Sequence, residues 1–456
     1  MVRGSFLSGS ARELKRDQLA TYARVLREHG GGRARFRVGP PRVGFVFDAV
    51  FRPDDARQVL ATEAARYDKE VPGIGEARRL FGEGILLSNG DRWRRDRRIV
   101  APLFTTKRVE SYVDGMTAAA GRLAATWSEA ATLAEAATLT EADGGGRVDL
   151  SEAGTSYALD VLGRSVFGSD VESTAPVLRA TVPVLNEYAA RRILSPLRLP
   201  AWVPSPANRR AERARRALWG QVDSLIAQRR SDPRAGGEDL LTLLLAARDP
   251  EDGSVLDDDA VRDQALILLL AGHETTGATM ALTLHLLGHH PDVQQRVRDE
   301  VAAVVGDRPV GIDHLPHLTF TAQVLDETMR LYPPGHTLVR HAHRATTLDG
   351  QTVPEGHLVA VSVWGVHHNP DIWPGPDRFD PDRFGSEVPR YAHLPFGGGP
   401  RGCIGQHMAT AELLVAVATL VRSFRLKSEV EEVELDVGLS LRPRGALPCR
   451  IEPAAS

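Results

Sequence analysis

The chain has 456 residues, 42% hydrophobic and 25% charged, with a formal net charge of -3 at pH 7. Such a composition excludes a disordered or collagen-like chain, and the charge gives no global case for holding nucleic acid or a membrane surface. Two cysteines, Cys403 and Cys449, provide no disulfide framework and fit a reducing, cytoplasmic compartment.

The first ten residues are too few and too polar for a signal peptide, and no run of about eighteen apolar residues follows, so no membrane anchor is expected. Periodicity predicts a helix near residues 11–29, short strands at Arg33–Val38 and Arg42–Val50, and helix again over 53–62. Residues 71–90 read as loop because they carry Pro72, Gly73, Gly75, Gly82, Gly84 and Gly90. Helical periodicity dominates from Asp91 to about residue 330, interrupted by a tandem duplication (Glu129-Ala-Ala-Thr-Leu, then Glu135-Ala-Ala-Thr-Leu) to which no function is assigned. Val339–Val363 turns strand-like around an Asp349-Gly350 turn, residues 370–400 are irregular and Pro-rich, helix resumes at 403–423, and a strand pair closes the chain. The expected fold is mainly α with a minor β part, as one large domain over 1–456. Its parts are a β-containing stretch at about 30–62, a helical core at about 91–331, and a loop plus helix at about 390–423.

Cys403 carries the sharpest chemical signal. It sits in Phe396-Gly-Gly-Gly-Pro-Arg-Gly-Cys-Ile-Gly405, directly before an apolar helical pattern. A thiol at a helix mouth meets unpaired backbone N–H groups and the positive end of the helix dipole, both of which favour the metal-binding thiolate. A lone sulfur on a glycine-rich loop suits the axial position of a haem iron. By itself such a cysteine is more often buried and inert. A zinc site shared with His407 fails for lack of further ligands. The pairs His341/His343 and His367/His368 are assigned to ordinary packing or surface loops.

Two other motifs lie on predicted helices. Ala271-Gly272-His273-Glu274-Thr275 combines small residues with an acid and an alcohol. The threonine hydroxyl can bond back to a carbonyl one turn earlier and distort the helix, leaving room for water and a proton relay. Glu327 and Arg330 share one helix face three residues apart. Read alone, these are a packing notch and a surface ion pair.

Phe396, Gly399, Arg401, Cys403 and Gly405 together match F-x-x-G-x-R-x-C-x-G, which resembles the haem-binding loop of the cytochrome P-450 superfamily. The resemblance covers nearly the whole chain, with four motifs in the family's order. It implies haem b as cofactor, Cys403 as its iron ligand, and Phe396, Arg401, Gly405 and Ala271 against the haem. It implies proton delivery to dioxygen by Glu274 and Thr275, and a buried network of Glu327 and Arg330 with Arg383 from Phe379-Asp-Pro-Asp-Arg383-Phe. Trp93, Arg97 and Arg340 match positions that reach the haem propionates. Asp96 stands where relatives commonly have His, and Asp382 where they often have Glu.

The function so implied is a haem-thiolate monooxygenase. It would insert one atom of dioxygen into a C–H bond of a hydrophobic small molecule such as a terpenoid, polyketide or fatty acid. Electrons would come from NAD(P)H through a ferredoxin reductase and a ferredoxin. Arg92, Arg94, Arg95, Arg98, Lys107 and Arg108 would form a basic patch steering that ferredoxin, against the plainer reading of a solvated helix face. The alternatives are the same haem site running peroxide-driven, coupling or rearrangement chemistry, and a non-enzymatic haem gas sensor.

Overall fold

Asp17 divides the first helical stretch in two. Its backbone is extended (φ -159°) and its carboxylate accepts from the Ala20 N–H, so Ala11–Arg16 ends there and Gln18–His29 begins. The computed structural model describes residues 2, 9–40, 44–137, 146–168, 171–193, 200, 202–232 and 239–454. Part of the second copy of the duplicated stretch lies outside them. The contacts divide the chain into two compact units. One comprises Met1–Val71, Gln323–Cys403 and Leu435–Arg442; the other comprises Pro72–Ala322, Ile404–Glu434 and Pro443–Ser456.

The first unit is built on a five-stranded sheet. Its spatial order is Ala34–Val38, Phe45–Val50, Leu358–Ser362, Thr337–Ala342 and Tyr67–Asp68, with only the second and third strands parallel. Leu358–Ser362 is buried at every position, as a central strand covered on both faces must be. Val50, Val59, Leu60, Val359, Val361 and Leu394 pack on one side, while Tyr22, Phe36 and Phe51 join an aromatic cluster elsewhere. Asp349 and Gly350, both at positive φ (49° and 69°), turn the hairpin between Thr346–Leu348 and Gln351–Val353.

The second unit is helical. Its longest helix among the described residues, Asp258–His289, packs on Leu150–Phe167 where Gly154 meets Gly277, and a Cβ on Gly154 would overlap the Gly277 carbonyl oxygen. By length and composition Asp258–His289 could cross a membrane, but 72% of its most apolar window is buried, as in a core helix. A short helix, Ile74–Phe81, lies in the stretch read as loop from its glycines. Gly73 and Gly82 cap the helix, Gly75 lies in its first turn, and Ala77, Leu80 and Phe81 are buried. A three-stranded sheet of Gly146–Asp149, Pro448–Pro453 and Phe424–Ser428 also belongs to this unit.

Within the first unit, Glu327 and Arg330 are fully buried on the Thr319–Leu331 helix and form a two-pronged pair, Nε to Oε2 at 2.6 Å and Nη2 to Oε1 at 2.8 Å. Arg330 also donates to the carbonyls of His367 (2.8 Å), Pro376 (2.7 Å) and Arg378 (3.2 Å), so each of its five N–H groups has an acceptor. Glu327 accepts in turn from the Asp380 N–H. Arg383 is placed less well. Its Nε stands 3.4 Å from Glu327 Oε1 without hydrogen-bond alignment, and its Nη2 donates to Gly375.

Removing one member of a buried pair strands its partner at a cost of about 3–5 kcal/mol. Glu327→Ala and Arg330→Ala are therefore expected to collapse soluble yield and lower the melting temperature sharply. Arg383→Ala is expected to cost only about 1 kcal/mol. Thermal melting of the three purified variants checks the ranking, and parent-like melting of Glu327→Ala and Arg330→Ala would contradict it.

Candidate haem site

The Cys403 loop is shaped by its own backbone. The Gly397 N–H donates to the Leu394 carbonyl at 2.9 Å, Gly402 to Gly399 at 3.0 Å, and Cys403 to Phe396 at 2.9 Å. Gly399 has φ 66° and lies so close to Leu60 that any Cβ would overlap the Leu60 carbonyl oxygen. Glycine is thus required there by both backbone angle and space. The loop leaves the Cys403 residue exposed. Cys449 is buried, and burial pushes its thiol up to about 12. Of the two cysteines, Cys403 is the one at the surface.

Arg340, on strand Thr337–Ala342 of the same unit, tests whether the site fits haem. It is 7% exposed and donates to the Val339 carbonyl at 3.0 Å, and among the described residues it has no carboxylate partner. Burial lowers its pKa to about 10. It remains charged at neutral pH, and a buried guanidinium without a counter-ion is costly. A propionate would supply that counter-ion, so the donor set fits the cofactor. Phe396 and Arg401 are partly exposed on the loop.

The second unit holds the other predicted residues. Trp93 and Arg97 lie one turn apart on helix Gly90–Val100, both partly exposed. Asp96 is buried, accepts from Ser88 Oγ at 3.1 Å, and has its carboxyl pKa raised by burial. Gly405 precedes the Gln406–Ser423 helix at its N-cap. On Asp258–His289, Ala271 is exposed although the helix is buried through most of its length. Thr275 Oγ1 donates to the Ala271 carbonyl at 2.7 Å, and Thr279 and Thr283 repeat the same back-bond. The back-bond expected at Thr275 is thus present, within one continuous α-helix. Glu274 accepts from Asn186 Nδ2 at 3.0 Å, a partner from helix Val171–Ile193 that no local spacing announces.

The basic run around Trp93 is not a free patch. Arg92 pairs with Glu83 and Asp263, Arg94 with Asp91, and Arg98 with buried Asp249 and with Glu251. Arg95 donates to Ser254 Oγ and the Val255 carbonyl. These partners come largely from residues 249–263, too far along the chain for a local reading to supply them. His341 bonds to Asp68 and His343 to the Ala65 carbonyl, and no metal-holding group of three His, Cys, Asp or Glu occurs among the described residues.

The cytochrome P450 family model matches residues 5–449. A cyclooctat-9-en-7-ol 5-monooxygenase of Streptomyces melanosporofaciens is 34% identical over 93% of this chain and 88% of its own. Human cytochrome P450 4F2 is 32% identical over 88% and 80%. The crystal structure of the cytochrome P450DA heme domain superposes with a TM-score of 0.82 at 26% identity, covering 96% of this chain and 93% of the other. With an exposed cysteine on a glycine-shaped loop, a buried cation short of an anion, and these matches along nearly its whole length, the chain belongs to the cytochrome P450 family and is a haem b monooxygenase.

Proposed function

We propose that this enzyme hydroxylates a C–H bond of a hydrophobic, terpenoid-like compound, with electrons reaching it from NAD(P)H through a ferredoxin reductase and a ferredoxin, in the cytoplasm. The observation that carries the reading is Cys403, an exposed residue held by a glycine-shaped loop. The substrate class rests on the relative named for a cyclooctat-9-en-7-ol, which aligns over 93% of this chain.

Haem b, when bound, supplies the redox-active iron that activates dioxygen. Cys403 would ligate that iron as thiolate, and Arg340 would pair with a propionate, as would Trp93 and Arg97. Ala271, lacking a bulky side chain, leaves its helix face open to a flat group. Thr275 holds its hydroxyl by donating to Ala271 and can accept or pass a proton there. Glu274, oriented by Asn186, is the acid that replenishes it.

The test is reconstitution with NAD(P)H, a ferredoxin reductase and a ferredoxin, offering cyclooctat-9-en-7-ol, related terpenoid alcohols and a fatty acid. A substrate-induced spin-state change, followed by one labelled oxygen atom from dioxygen in the product, is expected with a terpenoid. Turnover driven by peroxide alone, with none from NAD(P)H, would contradict the reading.

Thr275→Ala is expected to keep haem while product formation falls by roughly a hundredfold and peroxide accumulates. Unchanged coupling of NAD(P)H to product would make Thr275 a packing residue.

Arg340→Leu separates binding from folding. Because the folded protein lowers this pKa, burial disfavours the charged form, and removing the charge should raise the melting temperature of the haem-free protein. The same change should weaken haem binding about ten- to a hundredfold through the lost charged hydrogen bonds. Haem titration and melting of the two forms check both signs. Unaltered haem affinity would remove Arg340 from the site.

A further inference from the structure

His367 ends the short Val363–His367 helix and is fully buried. Both of its ring nitrogens are engaged. Nδ1 lies 3.2 Å from the Arg330 carbonyl, and Nε2 lies 2.7 Å from the Leu394 backbone nitrogen. A carbonyl can only accept and an amide N–H can only donate, so the ring is neutral with its proton on Nδ1. A second proton would drive N–H against N–H at Leu394. Burial first, then the neighbouring His393, His368 and Arg330, hold the imidazole well below its ordinary pKa.

This ring joins two parts of the first unit already described. On one side is Arg330, which also donates to the His367 carbonyl at 2.8 Å. On the other is Leu394, itself buried, whose N–H has His367 as its acceptor. The path continues into the cysteine loop, with the Leu394 carbonyl taking the Gly397 N–H and the Phe396 carbonyl taking the Cys403 N–H. Arg330 is therefore linked by hydrogen bonds, through one imidazole, to the segment that presents the sulfur.

We propose that His367 is a positioning residue for the cysteine loop, with its Nε2 lone pair fixing the Leu394 amide and so setting how Cys403 is presented. The inference rests on the reading of Cys403 as the iron ligand. The acceptor is the part that matters. Without it, the buried Leu394 N–H has nothing to donate to, and the turn from Leu394 to Gly397 loses its anchor.

Two variants separate the two nitrogens. In His367→Gln the side-chain amide reaches the position of Nε2, and its oxygen can accept from Leu394. In His367→Asn the amide reaches only the position of Nδ1, so the contact to the Arg330 carbonyl is kept and Leu394 is left without an acceptor. Both are read as haem-loaded protein by the spectrum of the reduced carbon monoxide complex, which distinguishes thiolate from thiol or other ligation, and by amide hydrogen exchange.

His367→Gln is expected to keep the thiolate-type band and parent-like exchange at Leu394. His367→Asn is expected to lose most of that band and to exchange the Leu394 amide about tenfold faster or more. Equal behaviour of the two variants, whether both keep the band or both lose it, overturns the proposal and leaves His367 as a packing residue. Absence of the thiolate-type band in the parent would instead overturn the Cys403 reading, and with it this one.

Discussion

The buried pair of Glu327 and Arg330 is the constraint on which the first unit depends. Two charges taken out of water are costly, and their attraction alone does not offset that cost unless every remaining donor and acceptor is met. Here the requirement is met for Arg330 in full, with five acceptors for five N–H groups. Three of those acceptors are backbone carbonyls, of His367, Pro376 and Arg378. The irregular, proline-rich chain between the sheet and the cysteine loop cannot build its own ladder of hydrogen bonds. It borrows a guanidinium as its organising centre instead.

That arrangement has a chemical consequence. A reactive sulfur has to be exposed to its ligand, yet a loop that exposes a sulfur has few apolar contacts to hold it. In this chain the Cys403 loop is held by backbone bonds among Leu394, Phe396, Gly397, Gly399, Gly402 and Cys403, and by the close approach of Gly399 to Leu60. Arg340 shows the opposite strategy, a buried charge whose partner the described protein residues do not supply. The first is a loop held by its own backbone around an exposed cysteine, and the second is a cation held ready for an anionic cofactor. In the second unit Arg92, Arg94 and Arg98 of the Trp93 helix are each paired with acids, so any electrostatic attraction of an electron carrier there is weaker than the sequence alone implies.

Much of this was legible in the sequence because it is local. The Cys403 loop is ten contiguous residues, the Glu327–Arg330 pair is one helical turn, and Asp349-Gly350 is a two-residue turn that its composition announces. What escaped is of two kinds. Glycines hid the Ile74–Phe81 helix because they cap it at both ends and occupy its first turn, and Asp17 hid a break because a helix cap and a helix interior can share one apolar period. The rest depends on partners far along the chain. Arg98 meets Asp249, Glu274 meets Asn186, and His367 meets both Arg330 and Leu394. A histidine beside another histidine, ahead of Asn-Pro, carries no mark of that double engagement. The back-bond at Thr275, by contrast, is local to one helical turn and was legible from the sequence.

The central claim, that Cys403 and not Cys449 presents the sulfur, is tested most directly by the reduced carbon monoxide spectra of two single variants. Cys449 is buried with its thiol pushed up to about 12, so Cys449→Ser should retain the long-wavelength band of thiolate ligation. Cys403→Ser should lose that band completely. Retention of the band in Cys403→Ser, or its loss in Cys449→Ser alone, would contradict the account.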